Sequence, residues 1–190
     1  MAAPKKTISR LITMYQRQPG NRFGADYCPA QLATPQEAPS VSRASIICAE
    51  KVGGREIHLL STPELAAAFV VLYHPDVFDL QEQRLLSPVP CEHPLAGHPS
   101  AIGAKVSSLP GTVAVLADMG LGDKHPTIVD RRGKDPKDWR RLPWPYIGDI
   151  LLFVRDQEGP YCVNWTIKDD ERAFSTRGEV LPDFWDYEHY

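Results

Sequence analysis

Asp149 stands at the head of an apolar run, Ile150-Leu-Leu-Phe-Val154, which leads through Asp156-Gln-Glu-Gly159 into a second β-prone run, Tyr161 to Lys168. An apolar run with no polar alternation reads as a strand covered on both faces. Asp-Gln-Glu-Gly reads as the turn between two paired strands. The chain must therefore place material on both sides of this strand. A carboxylate at the rim of such a strand is costly unless it is paired or bound to a cation. Alternation along the second strand puts Thr166 and Lys168 on one face and Ile167 on the other, so Lys168 meets Asp149 across the hairpin. Two readings follow from these residues alone. One is a cross-strand ion pair at the sheet rim, and the other is half of a metal-dependent catalytic site.

The upstream half supplies a third polar residue. Ala44 to Glu50 and Glu56 to Leu60 are β-prone and flank Val52-Gly53-Gly54, a hairpin signal. Ser61-Thr62-Pro63-Glu64 is a helix start with a hydroxyl cap, a proline and an acid in the first turn. Leu65 to Tyr73 continues as an almost wholly apolar helix, expected to be buried on most sides. His74-Pro75-Asp76 ends it, and Val77 to Gln83 alternates as a half-buried strand. Thr112 to Ala117 reads as a short apolar strand, and Ile8 to Gln16 as a short helix.

Taken together, Glu64, Asp149 and Lys168 have the order of a PD-(D/E)xK nuclease site, in which hard oxygen ligands hold a divalent cation beside a charge-stabilising lysine. The stretch from His58 to Gln83, with Ser61, Glu64, His74-Pro75-Asp76-Val77 and Glu82-Gln83, resembles the N-terminal part of the TnsA-type transposon endonucleases. Tyr146 to Val154 is similar to that family's second catalytic strand, and Trp165 to Lys168 to its third. The resemblance implies a restriction-endonuclease-like α/β fold with a central mixed β-sheet flanked by helices. It implies Mg²⁺-dependent DNA cleavage, with Mn²⁺ as a substitute. Glu64, Asp149 and the main-chain carbonyl of Ile167 would be metal ligands, and Lys168 would orient the attacking water and stabilise charge. It also implies double-stranded DNA at transposon ends as substrate, cut on the 5′ strand. A DDE-type, TnsB-like transposase and an AAA+, TnsC-like ATPase regulator would be the partners. Two features depart from the family pattern. Thr166 stands where such sites carry Glu or Gln, with Asp169 and Asp170 as nearby substitutes. Only a short segment follows Lys168, where relatives often carry a further domain.

The chain has 190 residues, the size of one domain with a small appendage: a basic arm and loop over 1–42, a catalytic domain over 43–168 and an acidic, aromatic segment over 169–190. A net charge of -3 confines any DNA contact to local patches. Arg131, Arg132, Lys134, Arg140 and Arg141, with Trp139 and Trp144 interleaved, form the richest such patch and precede the Asp149 strand. Its alternative is a solvated loop with internal ion pairs. The N-terminal 22 residues carry five basic and no acidic side chains, either as a solvated arm or as one lying on a phosphate backbone. Cys28, Cys48, Cys91 and Cys162 contain no C-x-x-C pair and read as reduced thiols. Cys91, His93 and His98 lack a fourth zinc ligand, and His58 and His74 read as structural. With no signal peptide and no apolar run long enough to span a bilayer, the expected location is the cytoplasm, without membrane partners. Beside the nuclease stand two other functional readings: an inactive adaptor of the same fold, and a stand-alone repair or defence nuclease.

Overall fold

Hydroxyl caps on Thr7 and Ser61 set where two of the described helices begin. The computed structural model describes residues 6–39, 43–133 and 135–168, together with the backbone of 175–176 and 179–180. Helix α1 spans Ile8–Arg17, and the Thr7 hydroxyl accepts the Arg10 amide at 3.1 Å to start it. Strands β1 (Ser45–Cys48) and β2 (Glu56–Leu59) pair antiparallel, Ser45 opposite Leu59. A turn of 3-10 helix over Glu50–Val52 and the two glycines join them, so the connection is longer than a two-residue hairpin turn. Helix α2, Thr62–Tyr73, starts on the Ser61 cap, as its sequence requires.

Strand β3, Val77–Leu86, follows, and then helix α3, Thr112–Asp118. Beyond it, β4 (Thr127–Asp130) and β5 (Arg140–Pro143) form a hairpin. Strands β6 (Tyr146–Arg155) and β7 (Pro160–Trp165) come next, and the short pair β8 (Ser175–Thr176) and β9 (Glu179–Val180) closes the series. The central sheet runs β3-β6-β7. Its β6-to-β7 turn is closed by Asp156, whose carboxylate accepts the amides of Glu158 and Gly159 at 2.8 and 3.1 Å.

The middle strand β6 is buried on both faces, as its unbroken apolar run demands. Ile150 and Leu152 enter one core with Ile57 and Leu59 of β2, Ala68 and Val71 of α2, and Leu80 of β3. Leu151 and Phe153 enter a second core on the opposite face, with Leu95, Ala101 and Phe23. A third cluster gathers Leu11 and Met14 of α1 around Trp144, with Ile128 and Leu142 of the β4–β5 hairpin. The segment expected as a basic arm thus contributes α1 to a core. Two of its cations are spent internally, Arg10 on Gln31 at 2.6 Å and Arg17 on Glu37 at 2.7 Å.

Several expectations are corrected. Every described ladder is antiparallel, not mixed. The architecture is α/β with small antiparallel sheets. Residues Thr112 to Ala117 are helical rather than extended: Gly111 precedes the helix, Gly120 follows it with φ +72°, and no strand lies ready to pair with it among the described residues. Helix α2 buries only one side, because the sheet covers only one; Phe69, Val70 and Tyr73 are exposed. Strand β3 does not alternate, since Asp79 through Gln83 are all buried. The helix expected around Phe184, Trp185 and Tyr187 lies outside the described residues.

A buried ion pair connects the two main sheets. Arg55, just before β2, donates from its two terminal nitrogens to Glu82 of β3 at 2.9 and 2.8 Å, and Glu82 has no exposed surface. Glu82 also accepts the His58 amide at 3.0 Å, and Arg55 donates to the Leu80 carbonyl at 2.7 Å. The Arg55 guanidinium stacks on Tyr27, whose hydroxyl donates to the Glu82 carbonyl at 2.7 Å. Removing one partner of such a pair strands the other charge in the core. Arg55→Ala is therefore expected to lower unfolding free energy by about 3–5 kcal/mol, read as the urea midpoint; a loss within error would show that β2 and β3 hold together without it. Gly53 has φ +75°, and a Cβ there would lie 2.9 Å from the Ala25 amide nitrogen. Gly53→Ala is expected to cost about 1–2 kcal/mol or more, checked in the same titration against Gly20→Ala, where the added Cβ meets nothing within 4 Å.

Candidate functional site

Glu64 is placed by the helix start itself. The Ser61 hydroxyl accepts the Glu64 amide at 3.3 Å, and Ser61 also contacts the Glu64 carboxylate at 3.1 Å. The Leu60 amide donates to the other carboxylate oxygen at 2.8 Å. This is a capping box variant that turns the N3 acid back over the first turn. A buried carboxylate needs such donors.

Asp149 sits in β6 just where the apolar run begins. The register of Ile150 with Trp165 sets it beside Thr166, one residue past the end of β7. Its Oδ2 accepts the Ile167 amide at 2.6 Å and lies 3.7 Å from the Lys168 Nζ. Lys168 is therefore not in the strand, as expected, but just beyond it, where the chain still follows the sheet edge. Asp149 is mostly buried and Lys168 is more open to solvent.

The charges of Asp149 and Lys168 both act on the Glu64 carboxyl. Burial raises the Glu64 carboxyl above the ordinary carboxylate range, and the nearby Asp149 charge raises it further. The Leu60 amide, the Ser61 hydroxyl and the Lys168 ammonium oppose that shift. One helix, one strand and one strand extension thus bring Glu64, Asp149 and Lys168 into a shared field.

Sequence reading missed how Gln83 completes the site. Glu82 pairs with Ile150 and Arg84 with Gly148, so Gln83 falls opposite Asp149 on the other side of β6 from Thr166. Its Nε2 donates to Glu64 Oε2 at 3.1 Å. Among the described residues it alone, apart from glycine, has a positive φ, at 50°. No local pattern encodes this contact, because it joins residues from a helix and a strand across a loop.

The oxygen donors of this cluster fit a hard divalent cation in kind. Glu64 and Asp149 supply two carboxylates, and their mutual repulsion is what a cation would relieve. The main-chain carbonyl of Ile167 follows the amide that already holds Asp149. Among the described residues there is no group of three or more His, Cys, Asp or Glu side chains suited to a metal. The donor set of the site is thus two carboxylates with neutral oxygens around them. Asp169 and Asp170 lie outside the described residues. Both histidines of the incomplete Cys91, His93 and His98 set have partners: His98 sits 3.1 Å from Asp79 among Phe23, Phe78 and Phe153, and the His93 Nδ1 accepts the Leu95 amide at 3.1 Å.

The basic patch is carried by the β4–β5 hairpin. Arg140 and Arg141 are exposed on β5, across from Asp130 and Val129. Arg131 stacks on Trp139, 5.0 Å from its ring centre. Arg132 is clamped on Asp130 at 2.7 Å, which neutralises it in place. Lys134 lies outside the described residues. No helix among the described residues is long and apolar enough to cross a membrane.

The raised Glu64 carboxyl has a consequence for stability. A carboxyl with a folded pKa above its unfolded value keeps protons longer in the folded state, so its contribution to stability falls as pH rises through that interval. Glu64→Gln removes this contribution. Urea unfolding of both proteins at pH 4 and pH 7 is expected to show the variant gaining on wild type as pH rises; a constant difference would mean that Glu64 titrates as an ordinary surface acid.

A scan against known protein-family models and a search of curated proteins both find nothing that this chain matches.

Proposed function

We propose that this chain is a metal-dependent DNA endonuclease of TnsA type, with a restriction-endonuclease-like catalytic core. Its role would be to cut the 5′ strand at transposon ends beside a DDE-type transposase and an AAA+ regulator. The observation that carries the reading is the meeting of Glu64, Asp149 and Lys168 from three separate elements, in the order in which the sequence resembles that family. Two carboxylates that repel each other and one lysine 3.7 Å from Asp149 form an arrangement suited to a divalent cation and a phosphate.

Glu64 and Asp149, with the Ile167 carbonyl, would hold Mg²⁺ or Mn²⁺. A bound ion of that kind supplies Lewis acidity at the scissile phosphate and a more acidic water. The residues of the chain do the rest. Asp149, fixed by the Ile167 amide, keeps one ligand from rotating. Lys168 orients the water and stabilises the charge that builds on the phosphate oxygens. The water oxygen forms a bond to phosphorus, the bond from phosphorus to the 3′ oxygen breaks, and the leaving oxygen takes up a proton. The products are a 5′-phosphate and a 3′-hydroxyl. Arg131, Arg140 and Arg141 on the β4–β5 hairpin would position the phosphate backbone without reading sequence. Arg132, already paired with Asp130, would add less.

Strand-by-strand mapping of nicks tests this reading. Donor DNA bearing the element's ends is incubated with the cognate transposase and Mg²⁺ or Mn²⁺. Asp149→Ala and Lys168→Ala are each expected to lower 5′-strand cutting by about a hundredfold or more, with 3′-strand cutting retained. Equal 5′ cutting by wild type and both variants would remove the assignment. Thr166 motivates a second reading. It is exposed and offers no carboxylate or carboxamide where such sites usually have one. On that ground the chain would be an inactive adaptor that binds transposon DNA or the transposase. A folded protein that takes up neither cation in a calorimetric titration would favour it.

A further inference from the structure

We infer that Gln83 is a positioning residue of the proposed metal site. It would provide from β3 the carboxamide that Thr166 does not provide from the end of β7. The inference rests on the metal-dependent reading above. Three independent features of the fold support it.

The first is register. Asp149 has one neighbour on each side across the sheet. Thr166 lies on the β7 side and Gln83 on the β3 side. Thr166 is exposed, whereas Gln83 is buried. A side chain from either neighbour can reach the polar end of the sheet, and the buried one is the carboxamide.

The second is contact. The Gln83 amide donates to Glu64 Oε2 at 3.1 Å. That oxygen also accepts the Leu60 amide, and the other carboxylate oxygen faces Ser61. Three groups from three places thus fix the Glu64 carboxylate. Leu60 and Ser61 are local to the helix start and would hold any acid at that position. Gln83 alone ties it to the sheet that carries Asp149. Without this link the Glu64 carboxylate loses its hydrogen bond to the sheet that carries Asp149.

The third is backbone strain. A non-glycine residue at φ 50° inside a strand is uncommon and costs free energy. Here it is held by its own carbonyl, which accepts the Gln18 Nε2 and the Ala30 amide, both at 3.1 Å. Gln18 follows α1 directly and further accepts the Leu85 amide at 2.9 Å. The N-terminal segment therefore keeps Gln83 in a conformation that breaks the strand's alternation and lets its side chain reach Glu64. Glycine would adopt that backbone more readily. A strained glutamine in its place indicates that the side chain is what is required.

Mn²⁺ titration by calorimetry tests the inference, using the full chain. Gln83→Gly suits the purpose because glycine tolerates the backbone while the whole side chain, carboxamide included, is removed. Gln83→Asn serves as the second variant, since asparagine accepts a positive φ but is one methylene too short. Circular dichroism and the urea midpoint establish that each is folded. Both are expected to bind Mn²⁺ at least tenfold more weakly than wild type, while Thr166→Ala changes affinity less than twofold. Gln83→Met, which keeps the length of the side chain but cannot donate to Glu64, is expected to show the same loss; a purely structural role would leave its affinity at the wild-type value. Wild-type affinity in folded Gln83→Gly, Gln83→Asn and Gln83→Met would overturn the inference and leave the metal site standing. Failure of the wild type itself to bind Mn²⁺ would overturn both.

Discussion

The Arg55–Glu82 pair fixes the relation between two sheets that share no backbone ladder. Glu82 is fully buried, so its charge would be severely penalised without the two guanidinium bonds and the His58 amide. The pair thus locks β2 against β3 beside the core that Ile57 and Leu59 share with Leu80. Everything at the proposed site follows from that joint. Strand β2 runs directly into Leu60, Ser61 and the start of α2, so its position decides where Glu64 falls. Strand β3 carries Gln83 next to Glu82, so the same joint decides what Glu64 meets. Tyr27 covers the guanidinium and bonds the Glu82 main chain, which draws the N-terminal region into the same unit.

The site residues gain precision from being mounted on regular elements rather than on long loops. Glu64 belongs to the first turn of a helix capped by the Ser61 hydroxyl, and its carboxylate accepts the Leu60 amide just ahead of that cap. Asp149 belongs to the middle strand of the central sheet, with a core on each face. Lys168 is the exception, since it lies past the end of β7 and is partly open to solvent. Two mostly buried acids and one more exposed cation would suit the proposed site, with the lysine on the side from which a phosphate would approach.

What could be read from sequence was what local chemistry encodes. The Ser61 cap, the acid at Glu64 and the double burial of β6 each depend on residues within one element, and each is found where its pattern put it. Helix α3 was misread because Thr112-Val-Ala-Val115 imitates strand alternation, while the deciding facts were Gly111 and Gly120 at its ends and the absence of a described partner strand. The apolar α2 misled in another way. Its composition suggested burial all round, yet a sheet covers only one face of a helix, and Phe69, Val70 and Tyr73 remain outside. The Arg55–Glu82 joint and the Gln83–Glu64 contact were illegible because they link residues 27 and 19 positions apart through side chains alone. No periodicity or spacing rule records such pairings.

Charge balance explains why neutral groups around the two acids suit the proposed chemistry. Glu64 and Asp149 each carry one negative charge when ionised, and Lys168 returns one positive charge, leaving the cluster at minus one. A divalent cation would bring it to plus one, matched to the single negative charge of a phosphodiester. A third carboxylate at the Thr166 or Gln83 position would bind the cation more strongly but leave the loaded site neutral and less attractive to the substrate. A carboxamide at Gln83 can donate to Glu64 and so hold it in place, whereas a carboxylate there would repel it. In this view Thr166 is tolerable because the orienting group stands on the opposite side of Asp149, and cation affinity is given up in exchange for a net positive field at the phosphate.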